Sequence, residues 1–125
     1  MVAAALVSPF REEYVRQQLQ IYYQTRDLLW TLLNKFPWIE CGKPMGAGFV
    51  FPDISKSGVD EDSFTRFLAD RGIAPSVGTA WGPTYGKSHV RFAFCSPIDY
   101  QIVMNAKLEE ALKEYEVLHK NQLIQ

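Results

Sequence analysis

The stretch Ser88-His89-Val90-Arg91-Phe92-Ala93-Phe94 alternates apolar and polar residues. A period of two predicts a β-strand with one face on a core. Val90, Phe92 and Phe94 share the apolar face, and aromatic and β-branched side chains suit a pleated surface. His89, Arg91 and Ala93 fall on the other face. Arg91 stands in mid-strand between two large apolar neighbours. A guanidinium on a rigid strand is a fixed fork of donors, matched to a carboxylate or phosphate. An ordinary solvent-facing arginine, its stem laid over apolar surface, explains the same residue. On the strand alone the second reading is the more economical.

The flanks of this strand set the fold. After it, Ser96-Pro97-Ile98-Asp99 has the form of a capping box with proline at the first helical position. A helix is predicted from there to about His119, with Tyr100, Met104, Leu108, Ala111, Leu112 and Tyr115 as its apolar stripe. Before it, Gly78 to Gly86 is a glycine-rich loop carrying Trp81 and Tyr85, the kind of loop that borders a binding site or covers one. Ile73 to Val77, interrupted by Pro75, reads as an edge strand. Asp60 is placed to cap a short helix through Arg71, with Phe64, Phe67 and Leu68 inward and Gly72 beyond its end.

Further upstream, Phe49-Val50-Phe51 reads as a strand closed by Pro52. It follows a turn with three glycines, Gly42-Lys43-Pro44-Met45-Gly46-Ala47-Gly48, which implies a hairpin or a close backbone approach. No helix follows these glycines, so they are not a phosphate loop. Trp38 to Cys41 reads as a short extended piece. Ser8-Pro9 reads as N-cap and first residue of a long helix to about Lys35, which Pro37 stops. Its stripe is Val15, Leu19, Tyr22, Leu29, Leu33 and Phe36, and the additional Leu28, Trp30 and Leu32 call for cover from a second side. The order of elements predicts an α+β fold: a small antiparallel sheet with helices packed on one face and long helices at both ends.

Composition narrows the classes. At 125 residues the chain reads as a single domain, residues 1–125. Thirteen basic residues against fourteen acidic ones leave no basic surface for nucleic acid. Cys41 and Cys95 have no metal-ligand spacing and fit a reducing compartment. The apolar opening, Met1 to Val7, lacks a basic flank and is too short to span a membrane, which makes the cytoplasm the expected location. The histidines, His89 and His119, form no triad or metal pattern, and no lysine sits in an apolar run that would suit Schiff-base chemistry.

Four segments, in order, resemble the class I/II, fold-type-I pyridoxal-phosphate aminotransferases. Arg26-Asp27-Leu28-Leu29 resembles the R-R-D-x-L helix that precedes their small domain. Pro44-Met45-Gly46-Ala47-Gly48-Phe49-Val50-Phe51-Pro52-Asp53 resembles their P-x-G-A-F-Y-x-F-P-D segment. Gly72-Ile73-Ala74 with Gly78-Thr79-Ala80-Trp81-Gly82 is similar to their G-V-A…P-G-S-A-F-G. Val90-Arg91-Phe92-Ala93-Phe94 is similar to their V-R-L-S-F strand. The chain departs from the pattern at Ser76-Val77-Gly78, where the family often has proline before glycine, and Gly48 adds a residue to the turn.

The resemblance implies the C-terminal small domain of such an enzyme, or of a related fold-type-I lyase, decarboxylase or synthase. It implies that Arg91 binds the α-carboxylate of an amino acid or 2-oxo acid, and that Gly46, Ala47 and Gly48 lie beside the substrate. The catalytic lysine and the pyridoxal 5'-phosphate site belong to a large domain with no counterpart in these residues. No catalytic residue, no metal and no cofactor bound to this chain alone are therefore expected. The expected partners are that large domain, the small-molecule substrate and, for the parent, a second copy in a homodimer, with neither nucleic acid nor membrane. A stand-alone module that binds a carboxylate or a protein and catalyses nothing is the alternative from another class. For the domain by itself, Arg91→Ala is expected to change stability by about 0.5 kcal/mol or less, as surface substitutions do.

Overall fold

The computed structural model describes residue 4 and residues 7–123; most of the apolar opening read above falls outside them. The elements are α1 (Arg11–Leu33), β1 (Phe49–Val50), α2 (Glu61–Ala69), β2 (Ser76–Val77), β3 (Val90–Ala93) and α3 (Ile98–Leu118), with single 3₁₀ turns at Ser55–Ser57 and Gly78–Trp81. The sheet order is β1-β3-β2 with both pairings antiparallel. The predicted α+β architecture is the one observed. The extended piece Trp38 to Cys41 does not become a strand; only Glu40 bridges Asp53, and Asp53 in turn bridges His89.

The alternation read in the central strand holds. Val90, Phe92 and Phe94 are buried, and Val50 across the register from Phe92 is buried with them. They meet Leu29, Leu32 and Leu33 of α1 and Leu108, Ala111 and Leu112 of α3 in one core. Burying such side chains contributes roughly 1.5–3 kcal/mol each, before the entropy of ordering them. The opposite face carries Phe49, Arg91 and Ala93, and it is only partly covered.

The helix ends differ from the predicted ones for local reasons. The Ser8 hydroxyl accepts from the Phe10 N–H at 3.3 Å, two residues on. That makes a turn, not a cap, and α1 begins at Arg11. At the other end the Asn34 amide donates to the Trp30 carbonyl at 2.8 Å and to the Cys41 carbonyl at 3.1 Å. It closes the helix at Leu33, about one turn before Pro37 could. The capping box at Ser96 also fails to form. The Ser96 hydroxyl donates to the Gln101 side chain at 2.7 Å, and Pro97, extended at φ −54° and ψ 143°, occupies the cap position.

The expected apolar stripe of α1 holds only in its second half. Thr25, Leu29, Leu32 and Leu33 are buried, whereas Val15 and Leu19 are exposed. The N-terminal half of α1 runs past the core. Of the residues expected to need cover from a second side, Leu32 is buried, Leu28 is exposed, and Trp30 is half-buried with its indole N–H on the Cys41 carbonyl at 2.9 Å.

Asp60 caps α2 as predicted. Its carboxylate accepts from the Ser63 N–H at 2.8 Å and the Ser63 hydroxyl at 3.1 Å. Those bonds favour the charged form and hold its pKa below the usual carboxylate range. A depressed folded pKa gives stability that is present above the unfolded value and lost as pH falls through the folded one. Acid titration of Asp60→Asn, followed by circular dichroism, should therefore show a shallower loss of stability below about pH 4 than the parent chain, because the amide keeps an acceptor and does not titrate.

Candidate functional site on the open face of the sheet

The pairing Ser76↔Arg91 and Phe49↔Ala93 sets Arg91 on the outer face with Phe49 diagonally across from it. The guanidinium carbon lies 4.1 Å from the centre of the Phe49 ring and 3.5 Å from that of Trp81. Phe49 comes from one neighbouring strand and Trp81 from the turn that follows the other. Arg91 is half-buried, and among the described residues it has no carboxylate and no hydrogen-bond acceptor. A hollow of about 320 Å³ opens beside it, lined by Phe49, Phe51, Trp81, Gly82, Tyr85 and Gly86. Arg91 is its single charged group. The loop aromatics Trp81 and Tyr85 are exposed.

The glycines of the loop explain how Trp81 reaches Arg91. Gly78 and Gly86 lie back to back, so that a Cβ on either would strike the backbone of the other. Gly78 donates to the His89 carbonyl at 2.8 Å and Gly86 to the Gly82 carbonyl at 2.7 Å. This close approach pins both ends of the loop beside β3 and folds Trp81 back over the strand. Phe51 stacks on His89 with ring centres 5.1 Å apart, extending the aromatic surface along the same edge.

The turn of Gly46, Ala47 and Gly48 sits farther along. The Gly48 carbonyl accepts from the Phe94 N–H at 2.8 Å, and a Cβ on Gly48 would come within 2.9 Å of the Cys95 Cβ. Ala47 takes a left-handed φ of 59°. The turn therefore lies opposite Phe94 and Cys95, three residues or about 10 Å along the strand from Arg91. Its approach is fixed from α1: Lys43 pairs with Asp27 at 3.0 Å and lies over Trp30, and Arg26 reaches the Pro44 carbonyl. Arg26 and then Lys43 hold the Asp27 carboxyl below its usual range.

The described residues contain no cluster of His, Cys, Asp or Glu able to hold a metal ion, and no helix long and apolar enough to cross a membrane. A hollow of about 740 Å³ between α1 and α3 is lined by Leu28, Leu32, Ile98 and Ile102 together with Lys35 and Glu109. It holds no nucleophile or base in a productive pair. Cys41 is buried, and burial pushes its thiol up to about 11, whereas Cys95 is exposed. A maleimide should label one thiol per native chain, at Cys95, and a second only after unfolding in guanidinium; two fast-reacting thiols in the native chain would contradict this.

The open sheet face thus presents an arginine stacked between two rings and paired with no carboxylate among the described residues. Comparison with known proteins shows what the chain is similar to. No family model matches the chain. It is 28% identical over 100 residues to an aspartate aminotransferase of Pyrococcus horikoshii, covering 79% of this chain and 25% of that protein. It is 30% identical over 104 residues to an aspartate aminotransferase of Musicola paradisiaca, covering 82% of this chain and 26% of the relative. Its fold superimposes on an aromatic aminotransferase from Pyrococcus horikoshii with a TM-score of 0.80 at 27% identity, over 91% of this chain and 30% of the other. The chain is thus a homologue of the aminotransferases, fold-type-I pyridoxal-phosphate enzymes, and it spans about a quarter of the length of the curated relatives it matches.

The residues present do not by themselves fit pyridoxal phosphate. Lys35, Lys43, Lys87, Lys107, Lys113 and Lys120 are exposed and Lys56 is half-buried. Three of these amines are already paired, Lys35 and Lys113 with Glu109 and Lys43 with Asp27. A Schiff-base lysine requires a desolvated or charge-tuned setting, and none of these has one.

Proposed function

We propose that this chain is the small C-terminal domain of a pyridoxal-phosphate-dependent aminotransferase, and that Arg91 holds the α-carboxylate of its amino-acid or 2-oxo-acid substrate. The observation that carries this reading is the placement of Arg91. Its guanidinium stands on the open sheet face, at the edge of a hollow, without an internal counter-ion. A structural arginine in a folded domain normally answers a carboxylate of the same chain, as Arg71 answers Glu114 at 2.6 Å. Here the counter-ion is left to come from outside, and a planar fork suits a planar carboxylate.

The large domain of the parent would hold the cofactor, supply its catalytic lysine and close the open face against water. The cofactor's chemistry is its own; this chain's part is to bind and orient the carboxylate and to wall one side of the site. Gly46 to Gly48 would border the same cleft at its far end. The parent would move an amino group between an amino acid and a 2-oxo acid, as a homodimer in the cytoplasm.

The test is transaminase activity of the chain joined to whatever reading frame precedes Met1, with and without Arg91→Ala. Activity that depends on Arg91 supports the reading. A preceding frame that encodes no cofactor domain, together with no carboxylate binding by the chain, would leave the non-catalytic module instead.

A further inference from the structure

Two aromatic rings lie within stacking distance of one guanidinium carbon, Trp81 at 3.5 Å and Phe49 at 4.1 Å. Two rings that close on the same face would overlap each other. They arrive from opposite neighbours of β3, Phe49 from β1 and Trp81 from the turn after β2, and so they take opposite faces. All five guanidinium N–H bonds lie in its plane. A sandwich that covers both faces leaves those donors as the open side.

From this geometry we propose that Phe49 and Trp81 are positioning residues that hold the Arg91 fork edge-on to an incoming carboxylate. This rests on the carboxylate-binding reading of Arg91 and adds what fixes its direction. An unrestrained arginine side chain has large rotamer freedom to lose on binding. Rings that stack on it take that loss at folding, so the ligand meets a fork already aimed. Trp81 is itself placed by the Gly78–Gly86 contact and Phe49 by the strand register. The clamp is therefore built on fixed backbone at both sides, and the rings add hydrophobic cover without any competing charge in the hollow.

The experiment reads the Arg91 Nε–H resonance in this chain by NMR, with the exposed Arg66 as internal reference, and titrates benzoate as the carboxylate probe. In the parent chain the Arg91 resonance should lie upfield of Arg66 from ring currents and show restrained motion. Trp81→Leu and Phe49→Leu should each move it toward Arg66, loosen it, and weaken benzoate binding by about two- to fivefold, the scale of one partly exposed cation–π contact. Trp81→Phe should restore both. Trp81 and Phe49 are outside the buried core, so these variants keep the fold, and a thermal melt checks that. A resonance unmoved by either leucine substitution, or benzoate affinity unchanged when it does move, would overturn the proposal. Arg91→Ala separates the two readings: if it leaves benzoate binding as it was, the carboxylate role of Arg91 fails, whatever the resonance shows about the clamp.

Discussion

Replacing Tyr115 with alanine should cost about 3–5 kcal/mol of folding stability, the range for truncating a large buried ring. Tyr115 is 1% exposed and stands at the centre of the aromatic core. Trp38, Phe64 and Phe67 pack around it with ring centres 5.1 to 5.2 Å away, and His119, one turn on, stacks at 4.1 Å. These rings come from the segment after α1, from α2 and from the end of α3, so one side chain ties three parts of the chain. Its hydroxyl donates to the Ser57 carbonyl at 3.0 Å, which anchors the turn ahead of α2. For a domain whose whole stability is about 5–15 kcal/mol, the alanine variant should be largely unfolded or melt far lower. Tyr115→Phe should cost only about 1 kcal/mol, since it keeps the ring and loses one hydrogen bond. Burial, more than any other influence, raises the phenol pKa. A raised folded pKa gives stability that is present below the unfolded value, near 10, and lost as pH climbs through the folded one. The phenylalanine variant should lack that alkaline component. Urea melts of the three proteins at pH 7 and pH 11 check all of this, and equal midpoints for parent and alanine variant would refute it.

The central strand, the cap of α2 and the course of α3 were legible because each rests on short-range chemistry. Alternation at Val90, Phe92 and Phe94 has one structural solution, and Asp60 needs only Ser63 to act as a cap. What could not be read depended on a choice between nearby partners or on partners far along the chain. Nothing near Ser96 indicates that its hydroxyl would turn to Gln101 instead of the backbone. The stripe of α1 continues through Val15 and Leu19, yet the core ends before them, because a sheet of three short strands cannot cover 23 helical residues. At the site, Arg91 stood out as a mid-strand cation, and the loop from Gly78 to Gly86 stood out by composition. That Trp81 and Phe49 both reach Arg91 follows from register and from the Gly78–Gly86 contact. Both are long-range facts. The signal that could have suggested it is Phe49 itself, an aromatic on the outward phase of its strand.

Arg91→Ala should lower kcat/KM by about two orders of magnitude in a transaminase assembled from this chain and its cofactor domain, while costing the chain by itself only about 1 kcal/mol. The first figure follows from losing charged hydrogen bonds to a carboxylate, about 3 kcal/mol when water is excluded by a second domain. The second is larger than the 0.5 kcal/mol expected of a plain surface position, because the substitution also removes two ring contacts, each worth roughly 0.5–1 kcal/mol at an exposed site. Arg91→Lys is the sharper control. Lysine keeps the charge and most of the stem but offers neither a planar fork nor a flat cation between the rings. It should recover little of the lost kcat/KM. If instead lysine restored activity, charge alone would suffice and the planar, clamped fork would be unnecessary. Should the alanine variant lose several kcal/mol in a urea melt of the chain, Arg91 would be a structural residue first. The residual activity would then report damage to the domain, not the absence of a carboxylate anchor. Stability and kinetics measured on the same three side chains therefore separate the anchor from the scaffold.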